Sequence, residues 1–122
     1  MAHPVYKPGR NIAMKLPERV YHETLAFYRD ILGLRVVEER DDGALVDFGA
    51  VRLHLDRVQH QSQTDLWLEV VTDDVDAAAE FLDRNGVTRC DEVEELPPGF
   101  QGFWIASPSG TIHLVAKAKA GG

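Results

Sequence analysis

An internal duplication constrains this chain more than any other feature: the order strand, helix, three strands is read twice along its 122 residues. Phe27-Tyr28 followed by Gly33 matches Phe81-Leu82 followed by Gly86. At the ends of the copies, Arg52-Leu53-His54-Leu55 matches Thr111-Ile112-His113-Leu114. The two histidines are 59 positions apart and the helical phrases 54, so the copies differ only by short insertions. Duplicated units that each present one sheet face bury those faces on one another. The reading is therefore an α+β protein of two tandem βαβββ modules. Module one covers about 10–56, a linker 57–65 and module two about 66–117, within a single domain over 1–122.

Local signals place the elements. A helix is expected from Pro17 to Leu32, with Pro17 in a first turn where its missing N–H has no helical partner. Val20, Thr24, Phe27, Tyr28 and Ile31 recur at three- and four-residue spacing as its apolar stripe, and Gly33 ends it. A second helix is expected from Val75 to Asn85, capped by Asp73 or Asp74, with Val75, Ala78, Ala79 and Leu82 buried. Strands are expected over Asn11–Leu16, Leu34–Arg40, Ala44–Phe48 and Val51–Asp56, then Leu66–Thr72, Thr88–Glu94, Phe103–Ala106 and Thr111–Ala116. The turns fall on Asp41-Asp42-Gly43, Gly49, Pro97-Pro98-Gly99 and Ser107-Pro108-Ser109-Gly110.

Composition narrows the function classes. A net charge of −7 with no run of Lys or Arg argues against a nucleic-acid partner. No apolar run approaches the roughly 20 residues that cross a bilayer. The single cysteine, Cys90, rules out an internal disulfide and has no evident base nearby in sequence. With no signal-peptide pattern at the N-terminus, a cytoplasmic protein is expected.

Strand alternation then sorts side chains by face. Ile12, Met14 and Leu16, Val51, Leu53 and Leu55, Leu66, Leu68 and Val70, and Ile112, Leu114 and Ala116 are assigned to helix-covered faces. The other face receives Asn11, Ala13 and Lys15, Arg52, His54 and Asp56, Trp67, Glu69 and Val71, and Thr111, His113 and Val115. That polar face is the site candidate. Its expected ligand-binding residues are Asn11, Lys15, Arg52, His54, Trp67, Glu69 and His113, joined by Trp104 from the neighbouring strand, although core packing also explains Trp104. His54, His113 and Glu69 are the catalytic candidates. Aromatic walls with a few aimed polar groups suit a small-molecule ligand, aromatic or anionic.

The phrases Leu25-Ala26-Phe27-Tyr28-Arg29-Asp30-Ile31-Leu32-Gly33-Leu34, Asp73-Asp74-Val75-Asp76-Ala77-Ala78 and Ser107-Pro108-Ser109-Gly110 resemble the vicinal oxygen chelate superfamily. This superfamily includes glyoxalases, bleomycin-resistance proteins and extradiol dioxygenases. The resemblance runs from Arg10 to Lys117. It implies a curved mixed sheet around a cavity, helices on the outer face, and a homodimer. Metal-using members place ligands on the first and fourth strands of each module, which here fall on Asn11, His54, Trp67 and His113. The family's residues there are His or Gln, then Glu or His. His54 and His113 fit this pattern; Asn11 is a poor ligand and Trp67 is none.

Two readings stay open. In one, the chain binds a small molecule over a degenerate metal site, like the drug-sequestering branch of the superfamily. In the other it is a lyase, isomerase or dioxygenase with one divalent metal ion on His54 and His113, joined by Glu69 if the fifth strand is bulged. A metal-free variant uses His54 or His113 as general base. A module without ligand chemistry is disfavoured by the cost of enclosing so many polar groups. A glutathione-dependent glyoxalase is disfavoured by the two replaced ligand positions.

Overall fold

Apolar alternation in the first half produces a sheet with one helix-covered face. A computed structural model describes residues 4–119. The chain divides into two compact units, Arg10–Trp67 and Met1–Gly9 with Leu68–Gly122. Each repeats the strand, helix, three-strand order, and together they carry nine strands and two α-helices among the described residues.

In the Arg10–Trp67 unit, β2 (Asn11–Pro17) leads into α1 (Glu18–Ala26), then β3 (Val36–Arg40), β4 (Gly43–Phe48) and β5 (Val51–Val58). β5 pairs antiparallel with β4 and parallel with β2. β2 also meets the start of β6 (Asp65–Thr72) through Ala13–Trp67, Met14–Leu66 and Lys15–Asp65. Leu16, Tyr21, Leu25, Ala44, Val46, Leu53 and Leu55 form the buried core, with Ile12, Met14, Val20 and Tyr28 packed against it.

The helical stripe differs from expectation. Tyr21 and Leu25 are buried, whereas Phe27 and Ile31 are 43% and 74% exposed. The α-helix stops at Ala26 and continues as a π-helical turn over Phe27–Ile31, in which Leu32 N donates to Phe27 O at 3.0 Å. The wider turn rotates the residues that follow off the helical stripe. β3 is shorter than expected and bulges between Val36 and Glu38, which blunts an edge strand.

In the other unit, β1 (Tyr6–Pro8), a strand not foreseen from the sequence, pairs antiparallel with β6. β6 leads into α2 (Val75–Arg84), β7 (Thr88–Arg89), β8 (Gly102–Ala106) and β9 (Ile112–Lys117), in the order β1-β6-β9-β8-β7. Asp74 caps α2 as expected, accepting from Ala77 N at 3.0 Å. The expected strand Thr88–Glu94 ends at Arg89. Asp91 accepts from both Trp104 N and Arg89 Nε, and a short 3₁₀ turn over Asp91–Val93 replaces the ladder. The core gathers Ala78, Phe103 and Val115, with Tyr6, Val70, Val75, Ala79, Leu82 and Ile105.

Strand phase in β9 is the reverse of the expected one. Val115 packs in the α2 core, and its cross-strand partners Val70 and Phe103 pack with it. His113, two residues earlier, sits opposite Leu68 and Ile105 and so lies on that same helix-covered face. Glu69 pairs with Leu114, which pairs with Trp104, so Glu69 belongs to the opposite face from His113. Leu66 and Leu68, assigned to helix-covered faces, are 49% and 38% exposed.

Candidate functional site

In β5, Leu53 and Leu55 turn into the α1 core, and alternation sends Arg52, His54 and Asp56 to the opposite face. The same logic in β2 buries Ile12, Met14 and Leu16 and presents Asn11, Ala13 and Lys15. Parallel register sets these residues side by side as Asn11–Arg52, Ala13–His54 and Lys15–Asp56. β4 adds Leu45 beside His54, and β6 adds Trp67 beside Ala13. The expected face of this unit is therefore assembled with the expected phase.

Two contacts organise it. His54 Nε2 lies 2.8 Å from Asn11 Oδ1. An amide oxygen only accepts, so Nε2 carries the hydrogen and donates, which leaves Nδ1 as the lone pair of the neutral ring. Lys15 is 5% exposed, with Nζ 2.6 Å from Asp56 Oδ2 and 4.3 Å from the centre of the Trp67 ring. A buried ammonium needs such a carboxylate and is further favoured by the negative face of an indole. Arg52 differs: it is exposed, and among the described residues its guanidinium has no ion-pair or hydrogen-bond partner. Asp47 stands across the strand from Arg52, but its carboxylate accepts from Gly49 N at 3.1 Å and lies 3.9 Å from Arg35 Nε.

The remaining sequence candidates lie in the Leu68–Gly122 unit. His113 is half-buried, and its Nδ1 donates to Thr111 O at 2.9 Å. The Glu69 carboxylate packs so closely on Gly9 that a Cβ there would collide with it, and Gly9 N donates to Glu69 O at 2.8 Å. Trp104 is buried, with its indole N–H donating to Glu94 O at 2.9 Å. Burial pushes the Cys90 thiol up from its ordinary pKa, in keeping with an inert cysteine. A separate cleft of about 170 Å³ lies beside α2, lined by Ala79, Leu82, Val87, Phe103 and Ile105, with Arg89 over the Phe103 ring.

The residues do not fit the metal site that the resemblance implies. At the first module's two ligand positions the side chains bind each other, Asn11 to His54. At the second module's, an indole stands on β6 and an imidazole on a helix-covered face. His113 and Glu69, on opposite faces, cannot share an ion from the same side of their sheet. Within neither unit do three His, Cys, Asp or Glu side chains gather as metal ligands, among the described residues. Ala13 shares the face of His54 and bears no chemistry of its own, a small side chain between Asn11 and Lys15 along β2.

Comparison with known proteins agrees with the architecture. Residues 13–115 match the family described as Glyoxalase-like domain. No functionally curated protein matches the chain. Among solved structures, the Mn(II)-bound glyoxalase from Novosphingobium aromaticivorans is 23% identical with a TM-score of 0.64, over 88% of this chain and 38% of that one. A glyoxalase/bleomycin resistance protein/dioxygenase superfamily member from Vibrio splendidus 12B01 is 15% identical with a TM-score of 0.62, over 92% and 100%. Homoprotocatechuate 2,3-dioxygenase from Brevibacterium fuscum, in complex with 3,4-dihydroxyphenylacetate, is 17% identical with a TM-score of 0.66, over 96% and 38%. The chain thus spans well under half of the glyoxalase and of the dioxygenase, and at these identities the likeness is one of fold.

Proposed function

The chain belongs to the glyoxalase-like domain family, and within it we propose a small-molecule-binding protein that takes its ligand on the Asn11–His54–Trp67 face without a metal ion. The observation that carries this reading is the 2.8 Å contact between His54 and Asn11. With Asn11 held on His54 Nε2, the first module offers an ion a single good donor, the His54 imidazole, beside an amide that is a poor ligand. Catalytic zinc takes three protein ligands as a rule.

What the face does offer suits a guest held by shape and charge. The Trp67 indole is steadied by the Lys15 ammonium, His54 by Asn11, and Arg52 stands beside them as an exposed cation. Walls fixed before the ligand arrives lower the ordering cost of binding. Elemental analysis of protein purified without chelator tests the reading. The expected content is far below one ion per chain, and stoichiometric Mn, Fe, Ni or Zn overturns it.

A cytoplasmic homodimer belongs to the same proposal. Phe27, Ile31, Leu32 and Phe48 are all 43% exposed or more, and apolar surface of this kind is what a second copy would cover. Light scattering during size exclusion tests it: a mass near twice the 13.6 kDa of one chain is expected, and a monomer at micromolar concentration refutes it.

A further inference from the structure

We infer that Ala13 is the floor of the ligand niche and that it sets the guest as a planar aromatic carboxylate. This inference rests on the binding-protein reading and deepens it. Its basis is register. Ala13 pairs with His54 on one side and with Trp67 on the other, so the three residues form one row across three adjacent strands. Strands are about 4.8 Å apart, which puts the flanking backbones roughly 10 Å from each other. A flat ring resting on Ala13 has the strand of His54 on one side and the strand of Trp67 on the other, and an aromatic guest there can pair with both side chains.

Along β2, Asn11 and Lys15 project on the same face about 7 Å before and after Ala13. The methyl of Ala13 is the shortest side chain in this frame of four longer ones, and the residue is half-buried and so retains some solvent access. Charge gives the guest its orientation. The Lys15 ammonium is already matched by Asp56 at 2.6 Å, whereas Arg52, beside Asn11 at the other end, offers a guanidinium suited to a carboxylate. The ring sits over Ala13 and the carboxylate points toward Arg52.

Calorimetric titration with benzoate and with cyclohexanecarboxylate, which has the same charge and no aromatic face, tests the assignment. Saturable binding of benzoate is expected, with cyclohexanecarboxylate weaker by about three- to tenfold. Ala13→Leu should abolish benzoate binding by filling the floor, while Ala13→Gly keeps it. Trp67→Leu and Arg52→Gln should each weaken it by about tenfold, and they test the niche even if Ala13→Leu fails to fold. Unchanged affinity in folded Ala13→Leu or in Trp67→Leu, equal binding of the two acids, or no saturable benzoate binding overturns the inference. Metal content in the same samples separates the two claims. Metal-free protein that ignores benzoate sinks the niche alone; a stoichiometric ion with benzoate still dependent on Ala13 sinks the metal-free reading alone.

Discussion

His54 Nε2 and Asn11 Oδ1 are 2.8 Å apart, a bond between the fourth and first strands of one module that fixes the tautomer of the imidazole. With Nε2 as donor, the neutral ring carries its lone pair on Nδ1. Long-range ¹H–¹⁵N correlation spectra should therefore show His54 as the Nε2–H form in the wild type. Asn11→Ala should release a mixture of tautomers and cost about 1 kcal/mol, the usual net worth of one such bond. An Nδ1–H ring in the wild type would contradict the assigned geometry.

Lys15 and Asp56 make a second prediction, about stability. The ammonium side chain is 6% exposed and the carboxylate 23%, at 2.6 Å. Removing one partner of an enclosed pair costs more than the pair itself contributes, because the other charge stays out of water. Asp56→Ala should destabilise by about 3 kcal/mol in urea titrations. Replacing both partners, as Lys15→Met with Asp56→Leu, should recover most of that loss. Additive losses in the double variant would show that the charges act independently.

These residues also show where the sequence was informative. In β5, apolar Val51, Leu53 and Leu55 alternate with polar Arg52, His54 and Asp56, and burial follows that alternation. The caps and turns of α2 were equally legible, because Asp74 and Gly86 each answer a backbone requirement that few residues meet. In β9 the pattern carries no such contrast. Ile112, Leu114 and Ala116 on one side and Val115 on the other are all apolar, so alternation assigns a phase there on little contrast. Both faces are in fact covered there, with Val115 and Ala116 each buried, and alternation cannot report a phase when both faces want apolar side chains. The π-helical turn was hidden for a similar reason, since nothing in Phe27–Ile31 distinguishes it from an ordinary helical stripe.

The reversed phase separates the two histidines by role. His113 lies on the α2-packed face and bonds its own strand at Thr111 O, whereas His54 stands beside Ala13. His54→Ala should weaken benzoate binding by about tenfold through loss of one ring contact. His113→Ala should leave the affinity within about twofold. The same titration series checks both, and an equal loss in the two variants would place His113 in the ligand site after all.

Acid sensitivity should trace to the pair that ties the start of α1 to the end of β5. Arg57 Nε donates to Glu18 Oε2 at 2.6 Å, and its Nη2 donates to Glu18 Oε1, a two-pronged arrangement at the first residue of the helix. The hydrogen bond from Arg57 holds the Glu18 carboxyl below its ordinary value of 4.5. A depressed carboxylate adds stability that is fully present above that ordinary value and is lost as pH falls through the lower, folded-state value. Melting curves of the wild type and Glu18→Gln should therefore differ by a constant amount at pH 6–8 and draw together as pH falls below the ordinary 4.5. Because both side chains reach solvent, salt should shrink the difference at neutral pH. A gap that persists undiminished into acid would mean that Glu18 acts there through packing rather than through its charge.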